Sequence, residues 1–163
     1  GDVGGVVQRG EGGAVLKGLH DLVGDAHGAG ELFAAMDDAV AHARSRKAFG
    51  VQVGRFQQIE TLLTDMEVRL RNMRSMVYRA AWSIDAADET ERLDVALMKR
   101  YVPEASVQVA SDAMQILGGL GYTEGSRVSR IWEDCRGNQI AEGTDQVMVY
   151  IAAPLIMEHY RSF

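Results

Sequence analysis

Three long stretches of the chain repeat apolar residues every three or four positions, and this spacing constrains the fold more than any other feature. The stretches are residues 19–47, 59–84 and 95–116. Each places its apolar side chains on one face of an α-helix. A last helix is predicted over 144–160, with Thr144 as its N-cap residue. The segment 128–143 before it is predicted to be irregular.

Amphipathic helices joined by short turns bury their apolar faces most simply as an antiparallel four-helix bundle. Because no stretch shows the alternation of a strand, the predicted fold is all-α. Residues 1–13 contain six of the 18 glycines and are predicted to be a flexible lead-in, which leaves 14–163 as the helical bundle domain. Pro103 lies inside the third series, so we expect a kink there or a helix start just before it.

Charge and cysteine content exclude several classes of function. A formal net charge of −6 argues against a nucleic-acid partner, because phosphate binding needs clustered lysine and arginine. The single cysteine, Cys135, cannot form an internal disulfide, which indicates a reducing, cytoplasmic setting. No apolar run approaches the roughly 18 residues of a membrane span, and no Cys/His cluster has metal-ligand spacing. We therefore expect neither a membrane partner nor a metal.

Three short motifs carry candidate functional residues, and each also has an ordinary structural explanation. "QILGGLGYTEG", residues 115–125, has the glycine density of a phosphate loop but the wrong spacing, so a helix C-cap is the simpler explanation. "HARSRKAFG", residues 42–50, places two arginines and a lysine either where cations offset a helix dipole or where they form an anion site. Glu142 is either an acid favoured near a helix N-terminus or a catalytic base.

In order and spacing, these motifs resemble the C-terminal helical domain of the acyl-CoA dehydrogenase family. The family pattern runs Arg-x-x-Phe-Gly, a glutamine a few residues on, Gln-x-x-Gly-Gly-x-Gly, an Arg-Asp-type segment and Glu-Gly-Thr. The chain shows the same succession in Arg46 to Gly50, Gln57, Gln115 to Gly121, Glu133 to Arg136, and Glu142-Gly143-Thr144. The resemblance covers about residues 10–160.

The resemblance implies a flavoenzyme that oxidises an acyl-CoA thioester to its 2,3-enoyl form, with FAD as cofactor. In such enzymes a glutamate removes the α-proton while the β-hydride passes to N5 of the flavin, and Glu142 matches that base. A carboxylate suits the task because burial beside an acyl chain and a flavin raises its affinity for protons. Gly143 leaves room for the thioester of the substrate to approach.

The resemblance also divides the flavin contacts between subunits. Thr144 and Gln146 would contact the flavin of their own subunit, whereas a second set would reach the flavin of a neighbour: Arg46, Phe49, Gln57, Gln115, Ile116, Leu117, Gly118 and Gly119. We therefore expect a homo-oligomer, a dimer or tetramer built on the third and last helices, with a hetero-oligomer as the alternative. The implied partners are the acyl-CoA substrate and an electron-transfer flavoprotein or similar acceptor.

The chain departs from the family pattern in three places. The family has an N-terminal helical domain and a middle β-domain ahead of this region, and residues 4–13 resemble the tail of the middle domain, so we expect an inactive fragment that lacks both. "GLHD", residues 18–21, replaces an Asp-x-x-Arg motif and puts His20 at an alternative base position. Asp145 stands where Ser or Asn is common. The alternatives are a non-catalytic assembly subunit that completes a partner's FAD site, an acyl-CoA oxidase, and a plain helical interaction domain.

Overall fold

A computed structural model describes residues 30–162, and this part of the chain is helical almost throughout. Its helices are α1 Glu31–Ser45, α2 Gln57–Asp85, α3 Glu91–Leu117, α4 Gly119–Tyr122, α5 Arg127–Asn138 and α6 Asp145–His159. Between α1 and α2, strand β1 (Lys47–Ala48) pairs antiparallel with β2 (Val51–Gln52). Short 3-10 turns follow β2 at Val53–Arg55 and α6 at Tyr160–Ser162. The predicted all-α helical fold is confirmed.

Helix α3 lies at the centre and packs against α1, α2, α5 and α6. Its buried face follows the predicted series from Met98 to Ile116. The largest fully buried apolar side chains come from four of the helices: Leu32, Met66, Leu70, Met73, Met98, Val102, Val109 and Val128. Burying such a side chain contributes about 1.5–3 kcal/mol, so the packing around α3 holds the bundle together.

Helix α1 differs from its prediction in its end and in its buried face. It ends at Ser45 rather than near residue 47, because the chain turns there into β1. The buried face consists of Leu32, Ala35, Ala39 and Ala43. Leu32 and Ala43 belong to the predicted apolar series, whereas its larger members Phe33, Met36 and Val40 are only partly buried. Alanine side chains are small enough to let a helix approach its neighbours closely. The predicted start near residue 19, the lead-in 1–13 and His20 lie outside the described residues.

Helix α5 occupies a segment that was predicted to be irregular. Val128, Ile131 and Cys135 are buried and recur at helical spacing, while the other positions of the helix are mainly polar or charged. Trp132 Nε1 donates a hydrogen bond to Ser111 Oγ on α3 at 2.9 Å. The short apolar face, rather than the average polarity, determines that this segment is a helix packed on α3.

Helices α3 and α6 both contain a proline, and both continue through it. The predicted helix start just before Pro103 is therefore wrong, because α3 begins at Glu91. Pro103 is fully buried, and it lacks the N–H that would bond the carbonyl four residues earlier, at Lys99. Helix α3 thus keeps one continuous buried face, with Val102 and Ala105 buried on either side of Pro103, although this hydrogen bond is missing.

Helix α6 packs on α3 through a narrow face. Of the predicted face residues Val149, Ala152 and Ile156, Ala152 is buried together with Met148, whereas Val149 and Ile156 are 52% and 36% exposed. Helix α6 thus buries fewer apolar side chains than its apolar sequence suggests. No helix within residues 30–162 is both long and apolar enough to cross a lipid bilayer.

Candidate functional site

The structure divides the predicted site residues between two regions along α3, one beside Lys99 and one at the C-terminal end of the helix. One set, the glutamate loop, comprises residues 139–144 between α5 and α6, and it lies beside Lys99. The other set, the arginine groove, lies where α3 ends and includes Arg46 and the 115–119 segment. Lys99 and Gln115 are 16 positions apart on one helix, which corresponds to about 24 Å at 1.5 Å per residue. The fold therefore does not bring the two sets together within one chain.

Glu142 lies in a left-handed turn of the glutamate loop. Its φ is +53°, and that of Gly143 is +107°. Such a conformation is uncommon for a residue other than glycine and costs on the order of 1–3 kcal/mol. A Cβ at Gly143 would lie 2.7 Å from Cε of Met148, so both the conformation and the space favour glycine. The turn presents an exposed carboxylate on a constrained backbone.

Two polar contacts close the glutamate loop where it joins α6. Gln139 Nε2 donates to Asp145 Oδ2 at 2.8 Å, which links the two flanks of the loop. Thr144 is the N-cap residue of α6, as predicted, and its side chain accepts a hydrogen bond from the Val147 N–H at 3.4 Å. Gln146 follows in the first turn of α6 and is exposed. The position of Glu142 is thus tied to the start of α6.

A buried lysine lies beneath the glutamate loop. Lys99 is 4% exposed, and its Nζ donates to the carbonyl oxygens of Asn138 at 2.6 Å and Ala141 at 3.0 Å. Burial lowers the pKa of Lys99, whereas the negative charges of Glu142 and Asp145 act in the opposite direction. Lys99 belongs to none of the sequence motifs that predicted this site.

The arginine groove is an open depression of about 590 Å³ between α1, the hairpin, α2 and the end of α3. Five residues predicted from the sequence line it: Arg46, Ile116, Leu117, Gly118 and Gly119. Gln115 and Gln57 are exposed next to lining residues in the sequence. The remaining lining residues were not predicted as site residues: His42, Ala48, Val53, Phe56, Ile59 and Leu120.

The β1–β2 hairpin presents Phe49 at the edge of this groove. Phe49 and Gly50 form the turn with φ of +52° and +83°, the left-handed geometry that two-residue hairpin turns favour. The Phe49 ring contacts Phe56 edge-on, with 6.4 Å between centroids, yet the residue is 97% exposed. Because the contact with Phe56 covers little of the Phe49 ring, almost the whole ring is available to a ligand or a second subunit.

Comparison with known proteins identifies the family of this helical domain. Residues 25–156 match the family described as acyl-CoA dehydrogenase, C-terminal domain. The chain belongs to the acyl-CoA dehydrogenase family. The probable acyl-CoA dehydrogenase YdiO of Escherichia coli K12 is 40% identical over 144 residues, which are 88% of this chain and 37% of YdiO. The chain thus spans little more than a third of the length of this curated relative.

Solved structures of acyl-CoA dehydrogenases share the fold. An acyl-CoA dehydrogenase from Slackia heliotrinireducens DSM 20476 superposes with a TM-score of 0.84 at 51% identity, over 94% of this chain and 38% of that chain. The butyryl-CoA dehydrogenase from Megasphaera elsdenii gives a TM-score of 0.80 at 29% identity, over 90% of this chain and 37% of that chain. The resemblance inferred from the sequence motifs is confirmed.

A further similar structure, with a TM-score of 0.73 at 29% identity, is the FAD complex of PigA, and the arginine groove has chemistry that fits such a cofactor. A Cβ added at Gly118 or Gly119 would meet no atom within 4 Å, so the backbone of both glycines faces open space. No ion pair engages Arg46 within residues 30–162. An open glycine backbone beside a guanidinium suits phosphate groups, and the apolar lining suits an aromatic ring system.

Proposed function

We propose that this chain is the C-terminal domain of a flavin-dependent acyl-CoA dehydrogenase, with Glu142 as the base that removes the α-proton of the thioester. The observation that carries the proposal is the glutamate loop: an exposed carboxylate, a left-handed backbone at φ +53°, and contacts that tie the loop to α3 and α6. A strained residue held in this way is typical of functional sites.

The residues of this chain would position and deprotonate the substrate. FAD, when bound, supplies the acceptor for the β-hydride. Glu142 would take the α-proton onto a carboxylate oxygen, and Gly143 would let the thioester approach without a side chain in the way. The N-terminus of α6 begins three residues after Glu142, and its dipole favours the negative charge that develops on the thioester oxygen.

We further propose that two subunits complete each FAD site. Thr144 and Gln146 would contact the flavin of their own subunit, and Arg46, Phe49, Gln57 and the 115–119 segment would contact that of a neighbour. The separation of about 24 Å along α3 and the exposure of Phe49 support this division. The subunits would form a dimer or tetramer through α3 and α6, since α6 exposes apolar side chains at Val149, Tyr150, Ile156 and Met157.

The electron acceptor in this proposal is an electron-transfer flavoprotein or a similar protein, and an acyl-CoA oxidase is the variant in which oxygen replaces it. A second candidate function is a non-catalytic assembly subunit that completes a partner's FAD site. The separation of the arginine groove from the glutamate loop favours this candidate, because groove residues do not need Glu142 in their own chain to serve a neighbour.

The test is Glu142→Gln in the full-length protein. The amide is nearly isosteric but cannot accept the α-proton, so the rate of flavin reduction by acyl-CoA should fall by about 10²–10⁴, while FAD content and thermal stability stay unchanged. Glu133→Gln, at an exposed carboxylate on α5, is the matched control and should reduce its flavin normally. Unchanged flavin reduction in Glu142→Gln would remove Glu142 from the mechanism and leave His20 or a residue of a partner subunit as the base.

A further inference from the structure

We propose that Lys99 is a positioning residue for Glu142, because its two hydrogen bonds from α3 fix the backbone of the glutamate loop. This inference rests on the proposed role of Glu142 as the base. Lys99 does not touch the substrate or the reacting atoms in this proposal. It acts through the peptide groups that set where the Glu142 carboxylate lies.

The two carbonyl groups that accept hydrogen bonds from Lys99 lie just before Glu142 in the chain. One is the carbonyl oxygen of Asn138, the last residue of α5, at 2.6 Å, and the other is that of Ala141, at 3.0 Å. The Ala141 carbonyl and the Glu142 N–H belong to one planar peptide unit. A hydrogen bond to this carbonyl therefore restricts the rotation of the peptide that precedes Glu142, whose φ is already unusual.

A lysine is suited to this position because the end of a helix leaves carbonyl groups without intrahelical partners. The ammonium of Lys99 offers three donors and attracts those carbonyls through its charge. The residue is only 4% exposed, so the loop carbonyls rather than bulk water satisfy the ammonium. Burial lowers the pKa of Lys99, and the negative charges of Glu142 and Asp145 offset part of this effect.

Other contacts already fasten α5 to α3, which separates positioning of the loop from general stability. Val128, Ile131 and Cys135 are buried in the core, and Trp132 hydrogen-bonds to Ser111. The hydrogen bonds of Lys99 go instead to the last residue of α5 and to the loop beyond it. Loss of the ammonium should therefore loosen residues 139–144 while α5 stays in place.

The experiment compares Lys99→Met with Val102→Ala in the full-length flavoprotein. Lys99→Met removes the donors but keeps the length of the side chain, and we expect faster amide hydrogen exchange in residues 138–145, measured by mass spectrometry, with exchange in the body of α5 unchanged. In stopped-flow flavin reduction, the limiting rate should fall by on the order of 10²-fold, because a small misplacement of a catalytic group has this effect. The half-saturating concentration of acyl-CoA should change much less.

The control variant carries a fully buried substitution on the same helix. Val102→Ala shortens a core side chain one turn after Lys99 and lowers stability without removing a contact to the loop. It should show normal exchange in 138–145 and a limiting rate close to that of the wild type. Added methylammonium should restore part of the rate of Lys99→Ala, since the small cation can occupy the space of the lost ammonium and donate to the same carbonyls.

The outcomes separate this inference from the proposed function. If Glu142→Gln stops flavin reduction but Lys99→Met changes neither loop exchange nor the limiting rate, the positioning role of Lys99 is wrong and the base assignment stands. If Glu142→Gln reduces flavin normally, the proposed function fails, and with it the link from Lys99 to catalysis. Should Lys99→Met fail to fold, Lys99→Gln must show the same loop-specific increase in exchange, and its absence overturns the inference.

Discussion

Cys135 gives a direct chemical test of the packing between α5 and α3. Its thiol is fully buried, and burial raises the pKa of Cys135 from 9.0 to about 12, with the charges of Glu31 and Asp134 acting in the same direction. At pH 8, a thiol with the ordinary pKa is about one-tenth ionised, whereas one with a pKa near 12 is ionised to about one part in 10⁴. The reactive thiolate is therefore about 10³-fold less populated in the folded protein.

The measurement is the rate of thiol labelling at pH 8 in folded and denatured protein, read at the Cys135 peptide by mass spectrometry. Labelling of the folded state should be at least about 10³-fold slower, since burial blocks access in addition to suppressing ionisation. The control is a double variant, Cys135→Ala with Asp134→Cys, which moves the thiol to an exposed position on the same helix. Native labelling within about tenfold of the denatured rate would refute the described packing of α5.

The same raised pKa gives a pH dependence of stability with a defined sign. The folded thiol keeps its proton up to about pH 12, while the unfolded thiol releases its proton above about pH 9. The contribution of Cys135 to the free energy of unfolding is thus complete below pH 9 and declines between pH 9 and 12. At pH 10 the loss relative to pH 8 is about 1.4 kcal/mol. In Cys135→Ala, the free energy of unfolding measured with denaturant should lack this part of the decline between pH 9 and 12. An equal pH dependence in Cys135→Ala and the wild type would contradict the raised pKa of Cys135.

Two further substitutions test the loop and the core. Gly143→Ala places an alanine at φ +107°. We expect the free energy of unfolding, measured with denaturant, to fall by about 1–3 kcal/mol, and flavin reduction to slow. In the control Gly137→Ala, the added Cβ has no atom within 4 Å, so the free energy of unfolding should not fall. Arg69→Met leaves the buried Asp112 carboxylate without its guanidinium partner at 3.1 Å, which should cost about 1–3 kcal/mol near neutral pH. Burial raises the pKa of Asp112, and its protonated form needs no cation, so this loss should shrink as the pH falls; a pH-independent loss would argue against the pair.

The long helices could be predicted from the sequence because their apolar faces extend over many turns. The series in α3 coincides with its buried face from Met98 to Ile116, and α2 matches its series from Met66 to Ala80. In α6 the sequence is apolar on more than one side, so periodicity indicated only one of its two buried residues, Ala152. The structure selects Met148 and Ala152.

The elements that were not predicted from the sequence, which include β1, β2 and α5, are short or mainly polar. Strands β1 and β2 have two residues each, too few for an alternating pattern to be visible. Helix α5 does carry a signal, since Val128, Ile131 and Cys135 lie three and four positions apart. Its charged neighbours and the glycine before its end concealed that signal, because average polarity weighs against a helix when only one narrow face is buried.

The motifs indicated candidate site residues but not that the fold places them in two separate regions. Thr144 was recognised as the N-cap of the last helix, and Arg46 and the 116–119 residues do share one groove. The left-handed backbone of Glu142 has no signal of its own, and Lys99 shows only that a lysine follows Met98 on an otherwise apolar helix face. Such a lysine can extend its ammonium to solvent. Only tertiary contacts show that this one reaches two carbonyls instead.

Helix α3 sets the position of both parts of the proposed site. It contacts the glutamate loop through Lys99 and forms the arginine groove with its last turn, and the helix is continuous between them. Insertion or deletion of one residue in this interval would turn one end by about 100° and shift it by about 1.5 Å relative to the other. The distance between the glutamate loop and the arginine groove is thus set by the length of α3 between them. Movement of the loops does not change the length of this helix. On the proposed function, the flavin would therefore contact the glutamate loop of one subunit and the arginine groove of a second.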